Sequence, residues 1–286
     1  MKSSLVCETR QLVLPDQILH YRLYRHPQNT SGRRLLLLHG AGVAGRDTWE
    51  MLISELHAWY EVLVPDQRGA GESVFPDGQE HPFSVHELVQ DAQALVDHCG
   101  WWQFDLGGYS LGGLISLLLK QRLGDRVGKQ FLLEAALLDR IDLSETLALR
   151  ERYAQAAGHL RAQDQEAGIR QFLDTISPNR RTSIQTDQVA VSRLGRRPLG
   201  FAHALEAVNQ AVRHLDREAV IAAQGDVSSF IGSQSVDAMH ALHRALAACL
   251  PNWHYFLVAG TDHSLPFQKP RQIARTMNAE MQRFLS

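Results

Sequence analysis

Residues 104–113, FDLGGYSLGG, place one serine between two glycines where an apolar segment meets a predicted helix. The segment before Ser110 is typical of a buried strand, and the apolar run from Ser110 to Leu123 is typical of a helix. A strand, a Gly-x-Ser-x-Gly turn and a helix together form the arrangement that exposes a nucleophilic serine at a sheet edge. The competing interpretation is an inert serine in a glycine-rich turn, because five residues are a short pattern.

Predicted strands and helices alternate on both sides of this turn, which favours an α/β fold with a parallel sheet covered by helices on both faces. Asp47 and Ser84 are each followed three residues later by glutamate, a pattern that predicts helix starts. Residues 139–215 contain helix-like segments and no convincing strand. We therefore predict a core of residues 1–138 and 216–286 with a helical cap at residues 139–215. The predicted strands lie in TRQLVLPDQILHYRLYR (two strands), RRLLLLHG, YEVLVPD, FDLGG, GKQFLLEAA, AVIAAQGD and WHYFLVAG.

Composition excludes several classes of protein. The 286 residues are 44% hydrophobic with a net charge of −2, which suits one large core and provides no basic tract for nucleic acid. No apolar run approaches the ~18 residues of a membrane span. Three scattered cysteines form neither a disulfide framework nor a metal-ligand spacing, and the N-terminus lacks a signal-peptide pattern. These features predict a soluble, cytoplasmic protein that binds neither nucleic acid nor membrane.

The stretch LLLLHGAGVAG, residues 35–45, supplies a second motif. An enzyme with a nucleophilic serine on such a turn needs two backbone N–H groups aimed at the oxyanion of the reacting carbonyl. One belongs to the residue after the nucleophile, Leu111, and the other to the loop after this strand, for which we predict Ala41. His39 is interpreted as a structural residue that holds the loop.

His263, in VAGTDHSLPFQKP, is the predicted general base for Ser110. Fourteen histidines make any single one a weak candidate, but His263 lies in a loop between the last predicted strand and the last predicted helix. A base must reach the nucleophile in space rather than in sequence, and this loop opens at the same sheet edge as the serine turn.

Taken together, the order and spacing of these motifs resemble the α/β-hydrolase fold family over nearly the whole chain. The resemblance implies a mostly parallel eight-stranded sheet, a helical cap after the sixth strand, Ser110 as nucleophile and His263 as base. In the matching loop DQRGAGES it implies that Asp66, Arg68 and Ser73 organise a turn. The matching pieces are LLLLHGAG, VPDQRGAGES, GGYSLGG, QGD and GTDHSLPFQKP.

The acid that would orient His263 has two candidates. In much of the family it follows the seventh strand, three or four residues after a glycine. With Gly225 as that glycine, the matching positions hold Ser228 and Ser229, which carry no charge. Glu134, at the end of the sixth predicted strand, is favoured because some serine esterases of this fold carry their acid there. Asp226 remains the alternative.

Such a set predicts a serine hydrolase, carboxylesterase-like, that cleaves a small-molecule ester or thioester through an acyl-enzyme, with no metal or organic cofactor required. Carbon–carbon bond hydrolases and amidases of the same fold share these residues and stay as alternatives. A catalytically weak member that binds a ligand as a sensor is the alternative from another class. The sequence does not distinguish a monomer from a homodimer, and it leaves the natural substrate undetermined.

Overall fold

The structure of the chain is a computed structural model that describes residues 5–181 and 183–286. Residues 1–4, assigned to the core from the sequence, and residue 182, assigned to the cap, lie outside the described residues.

One eight-stranded sheet organises the molecule, with strand order β1-β2-β4-β3-β5-β6-β7-β8. β2 pairs antiparallel with β1 and β4, and every other pairing in the described sheet is parallel. This confirms the mostly parallel eight-stranded sheet predicted from the sequence. The strands are β1 Val6–Val13, β2 Ile18–Arg25, β3 Arg34–Leu38, β4 Glu61–Pro65, β5 Phe104–Tyr109, β6 Val127–Leu133, β7 Val227–Gly232 and β8 Trp253–Val258.

Helices cover both faces, and five of them, α4 to α8, lie between β6 and β7. Among the described residues, none of the helices combines the length and apolar character that a bilayer crossing requires. The helices are α1 Gly45–Ile53, α2 Val85–His98, α3 Leu111–Leu123, α4 Leu143–Arg161, α5 Gln165–Ile176, α6 Ile184–Leu194, α7 Pro198–His214, α8 Arg217–Ala222, α9 Asp237–Cys249, α10 Leu265–Gln268 and α11 Pro270–Leu285.

The four leucines of β3 show why the sheet needs helices on two sides. Side chains alternate between the faces of a strand. Leu36 and Leu38 accordingly belong to the core formed with α2 and α3, while Leu35 and Leu37 belong to the core formed with α1 and α11. All four are at most 1% exposed, so this run of leucines is stable only at the centre of a sheet covered on both faces.

The seventh strand lies later in the chain than predicted. The segment AVIAAQGD, residues 219–226, was predicted as a strand, but α8 occupies its first half and β7 begins only at Val227. The Asp216 carboxylate caps α8 by accepting a hydrogen bond from the Ala219 N–H at 3.0 Å. Ser228 and Ser229 then lie inside β7 and are fully buried. The Ser228 hydroxyl donates to Glu280 at 2.8 Å, which lets a polar residue occupy a central strand.

The start of α1 also differs from the prediction, and the cause is a contact distant in sequence. The helix begins at Gly45 rather than Asp47, and the Gly45 N–H donates to Asp66 Oδ1 at 2.8 Å. The other oxygen of Asp66 accepts from the Glu72 N–H at 3.0 Å. One carboxylate therefore caps α1 and fixes the loop after β4. The start of α2 is as predicted, because Ser84 and Glu87 form a reciprocal capping box.

That loop is also where α7 packs against the sheet domain. A Cβ atom at Gly200, in the first turn of α7, would lie 2.0 Å from the carbonyl oxygen of Gly69. Two backbones approach at this point more closely than any side chain permits. The contact fixes the position of α7 relative to the core.

We expect Gly200→Ala to lower the free energy of unfolding by ~1–3 kcal/mol, the usual cost of forcing a methyl group into filled space. Urea denaturation of the purified protein measures the effect. Gly158→Ala is the matched control, since Gly158 lies inside α4 and a Cβ atom there would meet no other atom within 4 Å. It should stabilise the protein by up to ~1 kcal/mol. Effects of the same sign for both variants would contradict the close contact.

Candidate active site

Ser110 occupies a strained turn between the last residue of β5 and the first residue of α3. Its backbone has φ +53° and ψ −115°, a conformation that a non-glycine residue adopts only when its surroundings enforce it. The enforcing hydrogen bonds are all to backbone: Ser110 N–H donates to Leu133 O at 3.0 Å, and Ser110 O accepts from Gly113 and Ala136. The turn is therefore fixed from both β6 and α3.

Gly108 and Gly112 allow the backbone of α3 to pack so closely against the strands that any larger residue at either position would clash. A Cβ atom at Gly108 would lie 2.2 Å from Gly112 O, and one at Gly112 would lie 2.1 Å from Leu38 O. The helix thus starts directly against β3 and β5, and this close packing makes the turn at Ser110 sharp. The Ser110 hydroxyl has no hydrogen-bond partner within the described part of the chain, and the residue lines two small cavities.

His263 lies in the loop between β8 and α10 and lines the same two cavities as Ser110. The residue is 4% exposed, and Nδ1 donates a hydrogen bond to Glu134 Oε2 at 2.7 Å. The structure thus brings together three sequence-predicted residues, Ser110, His263 and Glu134. Their sequence positions span 153 residues, from 110 to 263, so only the parallel sheet edge joins them.

Glu134 is a buried carboxylate whose hydrogen-bond partners stabilise its charged form. It follows β6 with φ +43° and is 1% exposed. Oε1 accepts hydrogen bonds from Gly232 N–H at 2.8 Å and from the Ser235 hydroxyl. Burial alone would raise the pKa of Glu134, but the hydrogen bond and charge of His263, with those of Ser235 and Gly232, hold the pKa below its ordinary value. The group can therefore stay ionised and hold the imidazole in one orientation.

Asp226, the alternative acid, lies at the amino-terminal ends of the parallel strands, opposite the ends that carry Ser110 and His263. It immediately precedes β7, whereas His263 follows the parallel strand β8, and six residues of strand span roughly 20 Å. Its carboxylate pairs with Lys129 and with Arg283, the latter at 2.6 Å. The structure therefore does not bring Asp226 to His263.

Ser235 is a residue that the sequence reasoning missed. From the sequence, the seventh strand was predicted to end near Gly225, with Ser228 and Ser229 at the positions of the missing acid, because the strand was placed too early. In the structure β7 ends at Gly232, and the stretch leading to α9 is a Gly-x-x-Ser pattern, Gly232-Ser-Gln-Ser235. Both ends of the pattern donate to Glu134. Recognising VSSFI as the strand would have identified it.

The predicted oxyanion donors lie beside Ser110. Ala41 follows β3 and Leu111 begins α3, and both line one cavity with Ser110. We find no backbone acceptor for either N–H within residues 5–181 and 183–286. His39 holds the loop, as its structural interpretation required: Nδ1 donates to Gly40 O at 2.8 Å and Nε2 accepts from Gln67 N–H at 2.9 Å. Burial lowers the pKa of His39, which keeps it neutral.

The two cavities meet at Ser110 and His263, with free volumes of about 40 and 20 Å³. The first cavity extends past Phe267 and Arg193, and the second extends past Leu111 towards Tyr153. Helix α5 closes both from above with Phe172 and Ile176, which each line both spaces.

Possible metal ligands lie elsewhere. Within the described residues, Asp226, His254 and Glu280 have ligand atoms within 4.8 Å of one another. The buried ammonium group of Lys129 already pairs with Asp226 and lies 3.4 Å from Glu280, so a cation is present there as a side chain.

Comparison with known proteins places this geometry in a family. The alpha/beta hydrolase fold family model matches residues 33–219. Pimeloyl-[acyl-carrier protein] methyl ester esterase of Edwardsiella ictaluri is 31% identical over 94 residues, which are 33% of this chain and 33% of that protein. Epoxide hydrolase A of Mycobacterium tuberculosis is 31% identical over 109 residues, 38% of this chain and 34% of that protein. The chain thus aligns with about a third of the length of these curated relatives.

Among solved structures, a thermophilic esterase from Thermogutta terrifontis superposes with a TM-score of 0.72. The superposition covers 98% of this chain and 100% of that one at 19% identity, which establishes a shared fold. With the matched family model covering about two thirds of the chain, including β3 to β6, the serine turn and helices α4 to α7, this chain belongs to the alpha/beta hydrolase fold family.

Proposed function

We propose that the protein is a serine hydrolase that cleaves an ester or thioester of a small molecule through an acyl-enzyme intermediate. Ser110 is the nucleophile, His263 the general base and acid, and Glu134 the residue that orients His263. The N–H groups of Ala41 and Leu111 form the oxyanion hole.

The observation that supports this assignment most is the buried contact between Glu134 and His263 beside the Ser110 turn. Because Nδ1 donates to the carboxylate, a neutral ring has its lone pair on Nε2, the atom that must accept a proton from a nucleophile. The contact also supports an active enzyme over the sensor alternative, which rested on the absence of an acid after the seventh strand.

The reaction would proceed in two halves. Ser110 Oγ attacks the carbonyl carbon while its proton passes to His263 Nε2, and the oxyanion accepts hydrogen bonds from Ala41 and Leu111. His263 then donates that proton to the leaving oxygen or sulfur as its bond to carbon breaks. Water attacks the acyl-enzyme and gives one proton to His263, which passes it to Ser110 Oγ as the bond between Oγ and the acyl carbon breaks and the acid is released.

We assign the helices between residues 139 and 215 as the cap over this site. Phe172 and Ile176 on α5, and Leu205 and Val208 on α7, line the cavities from this side. The free volumes are close to what one or two water molecules require, and we infer that the cap helices shift to admit a substrate. Cytoplasmic location stays a prediction, and a monomer and a homodimer stay undistinguished.

The serine at position 110 argues against the chemistry of epoxide hydrolases and haloalkane dehalogenases, which form an alkyl ester on aspartate. Carbon–carbon bond and amide hydrolysis would use the same serine, histidine and acid. A panel of esters, thioesters, amides and diketones therefore decides among these reactions.

We expect the wild-type protein to release p-nitrophenol from p-nitrophenyl acetate with a burst equal to the enzyme concentration, because acylation of Ser110 precedes hydrolysis. A fluorophosphonate probe should add once, at Ser110, as detected by peptide mass spectrometry. Ser110→Ala should show neither burst nor adduct while its circular dichroism spectrum is unchanged. A wild-type protein that takes no probe would favour the sensor alternative.

Glu134→Gln should reduce kcat by orders of magnitude, since loss of an orienting carboxylate costs up to ~10⁴-fold in such triads. Asp226→Asn is the matched control, with the same change of acid to amide at the amino-terminal ends of the parallel strands, and should retain kcat within about twofold. Steady-state hydrolysis of p-nitrophenyl butyrate measures both. The acid assignment is wrong if the control loses turnover and Glu134→Gln does not.

We also expect the Asp226→Asn control to change how the stability of the protein depends on pH. Burial alone would raise the pKa of Asp226, but Arg283 and Lys129 hold it below its ordinary value of 3.8. Such a carboxyl stabilises the fold above its unfolded-state pKa, and this stabilisation is lost as the pH falls through the lower folded-state pKa. The free energy of unfolding should therefore be lower for Asp226→Asn at pH 7, and the gap should narrow below about pH 4. A gap that widens on acidification, in urea titrations, would show that Asp226 is not stabilised as a carboxylate.

A further inference from the structure

The far end of the second cavity carries polar groups that the proposed chemistry does not use. Tyr153 and Arg150, both on α4, line this cavity together with Ser110 and His263. They are 2% and 4% exposed. The Tyr153 hydroxyl and Arg150 Nε are both buried and have no hydrogen-bond partner within the described residues.

Unpartnered polar atoms at this depth are rare in folded proteins because each has lost its hydrogen bonds to water. The cavity has about 20 Å³ of free volume, enough for one water molecule or one ligand oxygen. A substrate that places an oxygen here satisfies a donor that an alkyl chain would leave unpaired. Sites of this kind select strongly for the ligand that carries the matching polar atom.

The charges around the cavity define which oxygen fits. The guanidinium of Arg150 is paired with the buried carboxylate of Asp139, so it offers Nε as a donor without an excess positive charge. Glu134 contributes a further carboxylate to the same lining, and its lowered pKa keeps it ionised. An anionic group would meet net negative charge, whereas a neutral carbonyl or ether oxygen can accept a hydrogen bond from the Tyr153 hydroxyl or from Arg150 Nε.

The second cavity lies on the side of Ser110 where the acyl part of the substrate would bind. His263 must protonate the leaving group, and the residues that follow it, Ser264 and Phe267, line only the first cavity. The second cavity extends to the other side, past the N–H of Leu111.

We propose that Tyr153 and Arg150 form a specificity site for a neutral oxygen, such as a ketone, within the acyl chain of the substrate. The proposal rests on the hydrolase function above and narrows its substrates to esters or thioesters of oxo or ether acids.

Tyr153→Phe tests the site because it removes one oxygen atom and leaves the packing of the ring. That ring lies 5.7 Å from Phe172 and beneath the Arg150 guanidinium at 5.1 Å. The substrates are p-nitrophenyl 4-oxopentanoate and 5-oxohexanoate, each compared with its plain alkyl ester and corrected for its rate of alkaline hydrolysis. In the wild-type protein at least one oxo ester should have the higher kcat/KM. Tyr153→Phe should lower that preference about tenfold, as expected for one neutral hydrogen bond, and leave the alkyl ester within about twofold.

Tyr24→Phe is the matched control, since Tyr24 is also 2% exposed with an unpartnered hydroxyl but lies on β2 and lines neither cavity. It should leave the preference unchanged. p-Nitrophenyl hydrogen glutarate, which ends in a carboxylate, should be the poorest substrate of the set. An unchanged preference in Tyr153→Phe, or a preference for the glutarate ester, overturns the proposal.

A binding measurement separates failure of this site from failure of the proposed function. Calorimetric titration of the Ser110→Ala protein with methyl 4-oxopentanoate and methyl pentanoate requires no turnover. Adding Tyr153→Phe should weaken binding of the oxo ester about tenfold and leave the pentanoate unchanged. If Ser110→Ala binds the oxo ester with the same affinity with and without Tyr153→Phe, the proposed oxygen site is wrong even if ester hydrolysis is observed. The expected difference would support it even if hydrolysis is absent.

Discussion

The hydrogen bond from His263 to Glu134 joins two loops that are 129 residues apart in sequence, and the geometry of the candidate site depends on it. A carboxylate buried to 1% exposure is unfavourable unless its oxygens are hydrogen-bonded. Gly232 and Ser235 satisfy one oxygen and His263 satisfies the other. The ends of β6, β7 and β8 are thereby tied to a single charged group, and the imidazole has little freedom to turn away from the cavity.

The residues on either side of this carboxylate also hold the Ser110 turn. Glu134 lies between Leu133, which accepts the Ser110 N–H, and Ala136, whose N–H donates to the Ser110 carbonyl. Ser110 and Glu134 both have positive φ and directly follow the neighbouring strands β5 and β6, and backbone hydrogen bonds join Ser110 to the residues on either side of Glu134. An acid after β6 belongs to the segment that is hydrogen-bonded directly to the serine turn. An acid after β7 would lie one strand further from that turn.

Much of the fold could be predicted from local sequence, and the exceptions have a common cause. The capping box at Ser84 and the leucine run of β3 are local signals, and the structure agrees with them. The start of α1 depends on Asp66, and the seventh strand depends on buried serines whose partners lie on α11 and β8. Such partners are distant in sequence, so a pattern of neighbouring residues cannot reveal them. The site followed the same rule: Ser110 and His263 have distinctive loops, while Ser235 became visible only when β7 was correctly placed.

The proposed placement of the acid after β6 changes what the end of β7 must provide. A carboxylate after β7 would have to be surrounded by its own donors, whereas here Gly232 and Ser235 carry no charge and act on Glu134 as donors. Gly232 has no room for a side chain, since a Cβ atom would lie 2.6 Å from the Thr261 carbonyl oxygen, and its N–H is thus aimed at Glu134 through close backbone packing. Ser235 contributes a hydroxyl that can donate to a carboxylate without adding a second negative charge. An aspartate at Ser235 would set two carboxylates at hydrogen-bonding distance and raise the pKa of one of them. The buried glutamate after β6 therefore depends on uncharged donors after β7. Those donors, in turn, have a carboxylate to bind only because the glutamate follows β6.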